Sequence, residues 1–212
     1  MAKINVETIV VGPLQTNCYL VYDQNMTAVV IDPGFHDWKI LNKIKQLCLE
    51  VKYIILTHGH YDHITAAPKI SAALNVPIVV NELTPEFLND PELSLLCWFD
   101  ILKDTEITAD ITVTDNQTQT VGEMNIKYIN TPGHTKDSMC LIIEDCIFSG
   151  DTLFYDGAGR CDLPTGNNAQ LRKSISERLG SMEKDYKIYP GHLESTTLDY
   201  EKKHNDYFRE IL

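Results

Sequence analysis

The chain opens with three short runs of apolar and β-branched residues that have the pattern of β-strands. The runs cover residues 4–11, 16–23 and 27–31, and turn signals at Gly12-Pro13 and at 23–25 separate them. Val, Ile, Thr and Tyr favour the extended backbone of a sheet, whereas Gly, Pro, Asp and Asn interrupt it. The pattern therefore predicts three consecutive strands at the start of the fold.

Further along the chain, strand-like and helix-like patterns alternate. After a turn signal at 32–34, Trp38, Leu41, Ile44 and Leu47 recur at the spacing of an amphipathic helix. We expect helices at 37–50, 64–74 (with Pro68 in the first turn), 84–104, 168–179 (ending at Gly180) and 195–211 (opening at Ser195 or Thr196), and strands at 51–56, at 76–80 and within 105–149. Because strands and helices interleave without a repeat or a linker, we predict one α/β domain over residues 1–212.

Composition narrows the cellular setting. Hydrophobic residues make up 43% of the 212 positions and charged residues 23%, as in soluble globular proteins. No apolar stretch approaches the roughly 20 residues that a membrane span needs. Residues 1–7 carry an acidic side chain and lack the apolar core and cleavage site of a signal peptide. We therefore expect a cytoplasmic protein with no membrane partner.

Charge and cysteine content restrict the possible partners and the redox setting. The formal net charge of −12 argues against a nucleic-acid partner, because phosphates are bound by Lys and Arg patches. The six cysteines form no C-x-x-C pair, and we expect mostly buried, reduced thiols. The motifs described below indicate a small-molecule substrate as the partner.

Seven side chains of the metal-binding type lie at four places, each directly after a run that reads as a strand. They include five of the seven histidines: His58, His60, Asp62 and His63 after residues 51–56, His134 after 126–132, Asp151 after 146–150, and His192 after 187–191. Glycines at 59, 133, 150 and 191 lie beside them and allow the backbone to turn tightly. Such placement predicts a binuclear metal site, whereas we expect His36 and His204 to be surface or hydrogen-bonded histidines.

The donor types indicate the metal and the chemistry. Imidazole and carboxylate donors without thiolate fit two Zn²⁺ ions, with Fe or Mn as substitutes. Two ions roughly 3.5–4 Å apart can share one water, lower its pKa to near 7, and polarise a carbonyl or phosphoryl oxygen. The sequence therefore predicts hydrolysis by a hydroxide held at two metals.

The motifs resemble those of the metallo-β-lactamase superfamily, from about residue 6 to the end of the chain. The matching segments are Thr57-His58-Gly59-His60-Tyr61-Asp62-His63, Thr131-Pro132-Gly133-His134-Thr135, Ser149-Gly150-Asp151-Thr152-Leu153-Phe154, Tyr189-Pro190-Gly191-His192 and the early turn Ile31-Asp32-Pro33-Gly34. Residues 150–154 and 159–166 are most similar to short bacterial members of the glyoxalase II-like (hydroxyacylglutathione hydrolase-like) group. The resemblance implies an αβ/βα sandwich: two mixed sheets with helices on their outer faces.

The resemblance also implies roles for the seven ligands. It assigns His58, His60 and His134 to one ion, Asp62, His63 and His192 to the other, and Asp151 to a bridge between them. It implies hydrolysis of a thioester such as S-lactoylglutathione by the bridging hydroxide, with Asp62 or Asp151 as the proton acceptor.

Arg160 is the candidate substrate-binding residue. Its loop follows Asp151, so its guanidinium could contact substrate, or it could pair with Asp156 or Asp162. We expect no C-terminal extension of the kind that grips glutathione in full-length glyoxalase II, because the chain ends at Leu212, and we expect Lys202, Lys203 and Arg209 to be solvated.

Two other activities are compatible with these motifs. A persulfide dioxygenase would hold a single iron with His58, His134 and Asp151, and a lactonase or small-ester hydrolase would use the full set. A secreted β-lactamase is disfavoured by the missing signal peptide and by Asp151, where such zinc enzymes commonly have Cys. A nuclease is disfavoured by the acidic charge.

Overall fold

The computed structural model describes residues 3–99 and 106–209 and contains fourteen strands and six α-helices within them. The strands are β1 (Asn5–Val11), β2 (Thr16–Tyr22), β3 (Thr27–Ile31), β4 (Glu50–Ile55), β5 (Ile78–Asn81), β6 (Ile111–Val113), β7 (Thr118–Val121), β8 (Met124–Asn130), β9 (Met139–Ile143), β10 (Cys146–Gly150), β11 (Leu153–Phe154), β12 (Gly157–Ala158), β13 (Lys187–Pro190) and β14 (Thr196–Thr197). The helices are α1 (Asp37–Gln46), α2 (Tyr61–Ile64), α3 (Ala67–Leu74), α4 (Thr84–Asn89), α5 (Asn168–Lys173) and α6 (Leu198–His204). The three strands predicted at the N-terminus are confirmed.

Two six-stranded mixed sheets form the framework. The first has the order β1-β2-β3-β4-β5-β6, antiparallel up to β3 and parallel from there on. The second has the order β14-β13-β10-β9-β8-β7, antiparallel except for the parallel pair β10 and β13. Strands β11 and β12 form a small separate hairpin.

The core lies in three layers because both sheets are buried on both faces. Alternate residues of one strand face opposite sides: Tyr19 and Val21 pack between the sheets, whereas Leu20 packs under the helices of the first sheet. The outer layer of the first sheet includes Ile40, Ile44, Ile64 and Ile70, and that of the second sheet includes Leu171, Ile175, Leu179 and Leu198. Burial on both faces explains the nearly continuous apolar runs. The predicted αβ/βα sandwich is confirmed.

The predicted helix at 84–104 is wrong in its extent. Helix α4 ends at Asn89, and only a short 3₁₀ turn follows at Leu96–Trp98; residues 100–105 lie outside the described part of the chain. Pro91 pushes the preceding Asp90 into an extended conformation (φ −122°). The Asp90 carboxylate also accepts a hydrogen bond from the amide of Glu92 (2.8 Å), which stabilises a turn instead of a helix.

The remaining helices are shorter or divided relative to the prediction. The helix expected at 64–74 becomes α2 and α3, with Pro68 in the first turn of α3. Helix α5 continues as a π-helical segment, Ser174–Leu179, which ends at Gly180 as predicted. Helix α6 begins after Thr197, whose hydroxyl accepts from the amide of Tyr200 (3.3 Å). The expected caps do not start this helix, because Ser195 precedes strand β14 and Thr196 belongs to it.

Two compositional expectations can be compared with the structure. Cys18, Cys140 and Cys146 are buried free thiols, Cys161 is half-buried, and Cys48 and Cys97 are exposed. Within residues 3–99 and 106–209, no helix has the length and apolar character to cross a membrane.

Candidate metal centre

All seven predicted ligands meet at one end of the two sheets. The cluster 57–63 follows β4 of the first sheet, while His134, Asp151 and His192 follow β8, β10 and β13 of the second. Their donor atoms form three overlapping groups, in each of which the atoms lie within 4.8 Å of one another. The groups are His58, His60 and His134; His58, His63 and Asp151; and Asp62, His63 and His192. His36 and His204 lie outside these groups, as predicted.

Asp151 lies between the first and third of these groups. Its Oδ2 is 3.5 Å from Nε2 of His134, which belongs to the first group. The same oxygen is 3.6 Å from Nε2 of His192, which belongs to the third, and Oδ1 is 3.4 Å from Nε2 of His63. The carboxylate therefore reaches both groups.

Several of these metal-ligand atoms make no hydrogen bond within the protein. Among the described residues, His58 Nε2, His60 Nε2 and Asp151 Oδ1 are buried and make no hydrogen bond. Buried polar atoms are almost always paired in folded proteins, because an unpaired one keeps its full desolvation cost. Three such atoms at one point, all of metal-ligand type, fit a cation as the missing partner.

The opposite ring nitrogens are tied to oxygen atoms of the protein. Nδ1 of His134 donates to the carbonyl of Arg160 (2.7 Å), and Nδ1 of His192 donates to the carbonyl of Leu14 (3.1 Å). Nδ1 of His63 contacts Oδ2 of Asp32 (2.9 Å). A carbonyl can only accept, so the proton of His134 and His192 lies on Nδ1 and the lone pair of Nε2 faces the centre.

Burial and charge prepare the site for cations. Burial, followed by the positive charge of His63, lowers the pKa of His58 well below its ordinary value, and burial likewise lowers that of His60. These imidazoles are neutral and can act as donors. Burial also acts to lower the pKa of His63, but the carboxylates of Asp62, Asp151 and Asp32 outweigh it and raise that pKa to about 10. The centre therefore favours positive charge.

Asp32 is a supporting residue that lies in a turn directly after strand β3 in the sequence. Its Oδ1 accepts from the amide of Thr57 (2.7 Å), and its Oδ2 accepts from the Thr57 hydroxyl (2.7 Å) in addition to contacting His63. On the other side, the hydroxyl of Thr16 donates to Oδ2 of Asp62 (2.9 Å). An aspartate directly after a strand is the signal that the sequence offers. Its partners Thr57 and His63 lie too far along the chain for a local pattern to connect them with it.

Known proteins share this fold and these motifs. A family model described as the metallo-beta-lactamase superfamily matches residues 11–192. The chain belongs to the metallo-β-lactamase superfamily. The predicted resemblance to that superfamily is thus confirmed.

Three members of the superfamily illustrate the likeness. Hydroxyacylglutathione hydrolase GloC of Haemophilus influenzae is 31% identical, over 96% of this chain and 98% of its own length. The crystal structure of BLEG-1 B3 metallo-β-lactamase is 30% identical with a TM-score of 0.90, over 97% of this chain and 100% of that one. TTHA1623 in a di-iron-bound form is 28% identical with a TM-score of 0.84, over 95% of this chain and 100% of that one.

In this member of the superfamily, glycine at two of the four predicted positions is required for different reasons. Gly150 has φ +48°, a left-handed conformation that side chains disfavour, and it directs the chain into Asp151. Gly191 is required by close approach: a Cβ there would lie 2.2 Å from Oδ1 of Asp151 and 2.8 Å from Cε1 of His63.

Gly191→Ala is expected to lower metal affinity at least about tenfold, because the added methyl group displaces Asp151 and His63. Titration against a competing chelator measures the effect. Gly157→Ala is the matched control, since a Cβ at Gly157 would contact only the carbonyl of Tyr155, at 3.8 Å. Equal metal affinity in both variants would exclude the crowding described here.

An open cleft of about 490 Å³ leads to the centre. His60, Asp62, His134, Asp151 and His192 reach its floor. Asp62 and Asp151 are 5% and 9% exposed, so both carboxylates are almost buried and still border the cleft. A small molecule in the cleft would therefore meet both candidate proton acceptors.

Arg160 lines the same cleft and forms the ion pair considered from the sequence. Its Nε and Nη2 donate to the two carboxylate oxygens of Asp162 (2.7 and 2.6 Å). Asp156, the other suggested partner, instead accepts from the hydroxyl of Tyr200 (3.2 Å). The contact of Arg160 with substrate stays a prediction.

Proposed function

We propose that this chain is a binuclear metal-dependent hydrolase of thioesters, the class to which S-lactoylglutathione belongs. The observation that carries the proposal is the position of Asp151, whose carboxylate reaches both histidine groups at the floor of an open cleft. The similarity to GloC of H. influenzae, named as a hydroxyacylglutathione hydrolase, supports the choice of thioesters.

In this proposal the seven candidate ligands hold two ions. His58, His60 and His134 would hold one, Asp62, His63 and His192 the other, and Asp151 would bridge them. Zn²⁺ fits this donor set, and Fe or Mn could replace it; the relative TTHA1623 is described as di-iron-bound. When bound, such ions act as Lewis acids toward a carbonyl and lower the pKa of water.

The protein's own residues position the reactants and move the proton. Hydrogen bonds from the protein fix the rings of His134 and His192, and Thr16 fixes Asp62, so the donors need little rearrangement. Asp62 or Asp151 accepts the proton that the attacking water loses, since both carboxylates border the cleft. The thiolate leaves through the open mouth of the cleft.

Removal of the metals is expected to abolish thioester hydrolysis. Protein dialysed against a chelator should lose at least about 100-fold in thioester turnover and regain it with Zn²⁺, because the ions that polarise the carbonyl and lower the pKa of the attacking water are then absent. Elemental analysis of the reconstituted protein should give two ions per chain.

Two outcomes would replace the proposal by one of its alternatives. One iron per chain together with oxygen uptake on glutathione persulfide would indicate a persulfide dioxygenase. Two ions per chain with turnover of lactones or simple esters, and none of any thioester, would indicate a lactonase or small-ester hydrolase.

A further inference from the structure

Two sets of apolar side chains line the cleft beside the candidate metal centre. Next to His192 lie Leu14, Leu193 and Phe154, whose ring centroid is 6.0 Å from that of the histidine. The second set is Tyr61, Leu95 and Leu163, which belong to one apolar cluster, together with Trp98. A substrate bound over the ligands would therefore contact hydrocarbon in the cleft.

The rim of the cleft exposes large apolar side chains to solvent. Leu14 is 52% exposed, Trp98 59% and Leu193 63%. Val10, 46% exposed, continues the surface from Leu14 and Leu193. A contiguous exposed apolar surface is a typical mark of a binding site, whereas isolated exposed leucines are ordinary.

Two of these wall residues are held in a backbone conformation that leucine disfavours. Leu193 has φ +67° and Leu95 has φ +62°, in the left-handed region where a Cβ crowds the neighbouring carbonyl. The side-chain amide of Asn17 fixes Leu193, because its Nδ2 donates to the carbonyls of Leu193 and Pro190 (both 2.9 Å). Near Leu95, the amide of Tyr61 donates to the carbonyl of Ser94 (2.9 Å). Backbone strain of this kind persists only where the surrounding structure holds it, and it is concentrated at ligand-binding sites. The two strained leucines therefore support a binding surface in this cleft.

Apart from the candidate metal ions, the cleft offers little positive charge to an anionic substrate. Among the described residues that line it, Arg160 is the one Lys or Arg side chain, and its Nε and Nη2 already donate to Asp162. The whole chain has a formal net charge of −12. A glutathione conjugate carries two carboxylates and one ammonium group, and the one cationic side chain that lines the cleft is already paired with Asp162.

We propose that the substrates of this site are thioesters with an apolar acyl chain longer than acetyl, and that glutathione conjugates are poor substrates. The inference rests on the proposed thioesterase function and names its substrate class. The acyl chain lies along the apolar wall while water attacks the carbonyl carbon and gives a proton to Asp62 or Asp151. The C–S bond breaks, the acyl group leaves as a carboxylate, one proton of the water goes to the departing thiolate and the other to solvent.

The metal-loaded enzyme is assayed with S-acyl-N-acetylcysteamine thioesters from acetyl to octanoyl, which share one uncharged thiol, and with S-lactoylglutathione. Burial of each methylene should raise kcat/KM roughly two- to fourfold, so hexanoyl, with four more methylenes, should exceed acetyl by roughly 16-fold or more. Hexanoyl should also exceed S-lactoylglutathione. A flat or falling series, or a preference for S-lactoylglutathione, overturns the inference alone. If no thioester is hydrolysed, the proposed function fails and the inference falls with it.

Trp98→Ala tests the wall directly. The ratio of kcat/KM for hexanoyl over acetyl should fall about fivefold, because the ring that contacts the longer chain is removed, and Trp98→Phe should restore most of it. Trp38→Ala is the matched control: Trp38 is 63% exposed and does not line the cleft. An unchanged ratio in Trp98→Ala, with normal metal content, overturns the assignment of Trp98 to the acyl site.

Asp162→Asn tests the charge argument. Loss of the carboxylate leaves the guanidinium of Arg160 without its anionic partner, so kcat/KM for S-lactoylglutathione should rise several-fold while that for the neutral thioesters stays the same. No rise for the glutathione conjugate, at equal metal content, overturns the claim that pairing with Asp162 excludes it.

Discussion

Replacing His60 with alanine is expected to reduce thioester turnover at least about 10³-fold and to lower the metal content from two ions per chain to one. His60 is 3% exposed, and its Nε2 is buried without a hydrogen-bond partner. Its Nδ1 lies 2.9 Å from Nε2 of His134, within the group that also contains His58. Alanine leaves that ion with His58, His134 and the bridging Asp151, one donor fewer than the site proposed, so the ion should bind more weakly and be lost on purification.

The control for this variant is another histidine. His204→Ala removes an exposed imidazole whose Nδ1 contacts only the carbonyl of Tyr200 in its own helix (2.8 Å), and it should keep both ions and full turnover. Elemental analysis, kinetics and thermal unfolding are measured on both proteins. Full turnover of His60→Ala would refute the proposed mechanism, and unfolding of that variant would be recognised from its melting curve.

The seven candidate ligands, which the structure brings together, could be recognised in the sequence because their signals are local. Histidine is a rare residue, and three of them with an aspartate occur within 58–63, directly after a buried strand. The glycines at 150 and 191 gave a second local signal, which the left-handed φ of Gly150 and the close approach at Gly191 explain. Fold and candidate centre thus follow from short-range patterns.

The walls of the cleft could not be predicted in this way. Leu14, Trp98 and Leu193 come from three distant parts of the chain and meet only after folding. In the sequence, the segment around Trp98 resembled a helix with an apolar stripe, but Asp90 and Pro91 stop the helix and turn the segment over the cleft. Local periodicity carries no information about this long-range arrangement.

The supporting role of Asp32 depends on partners that are distant in sequence. In the sequence it looked like the first residue of a turn, and it does begin one, with φ +50°. Its hydrogen-bond partners Thr57 and His63 lie 25 and 31 residues further on. A side chain 2% exposed with three contacts of this kind is a strong candidate for a residue that orients a metal ligand.

Asp32→Asn is expected to weaken metal binding about 10- to 100-fold while keeping the shape of the side chain. The carboxylate accepts from the amide and hydroxyl of Thr57 and contacts Nδ1 of His63. An asparagine presents an NH₂ group toward one set of these donors, so at least one of them loses its acceptor. In either orientation of the asparagine, His63 loses the charged acceptor that holds its Nδ1, and the free energy of unfolding falls by about 1–3 kcal/mol.

Asp23→Asn separates the effect on the metal from the effect on stability. Asp23 is also fully buried, and it accepts from the amides of Asn25, Thr27 and Glu123, away from the candidate centre. Both variants should therefore lose stability in urea unfolding, but only Asp32→Asn should lose affinity in a titration against a competing chelator. If both bind metal as the parent protein does, Asp32 stabilises the fold without orienting His63, because the loss of its carboxylate would then act in the same way as the loss of Asp23.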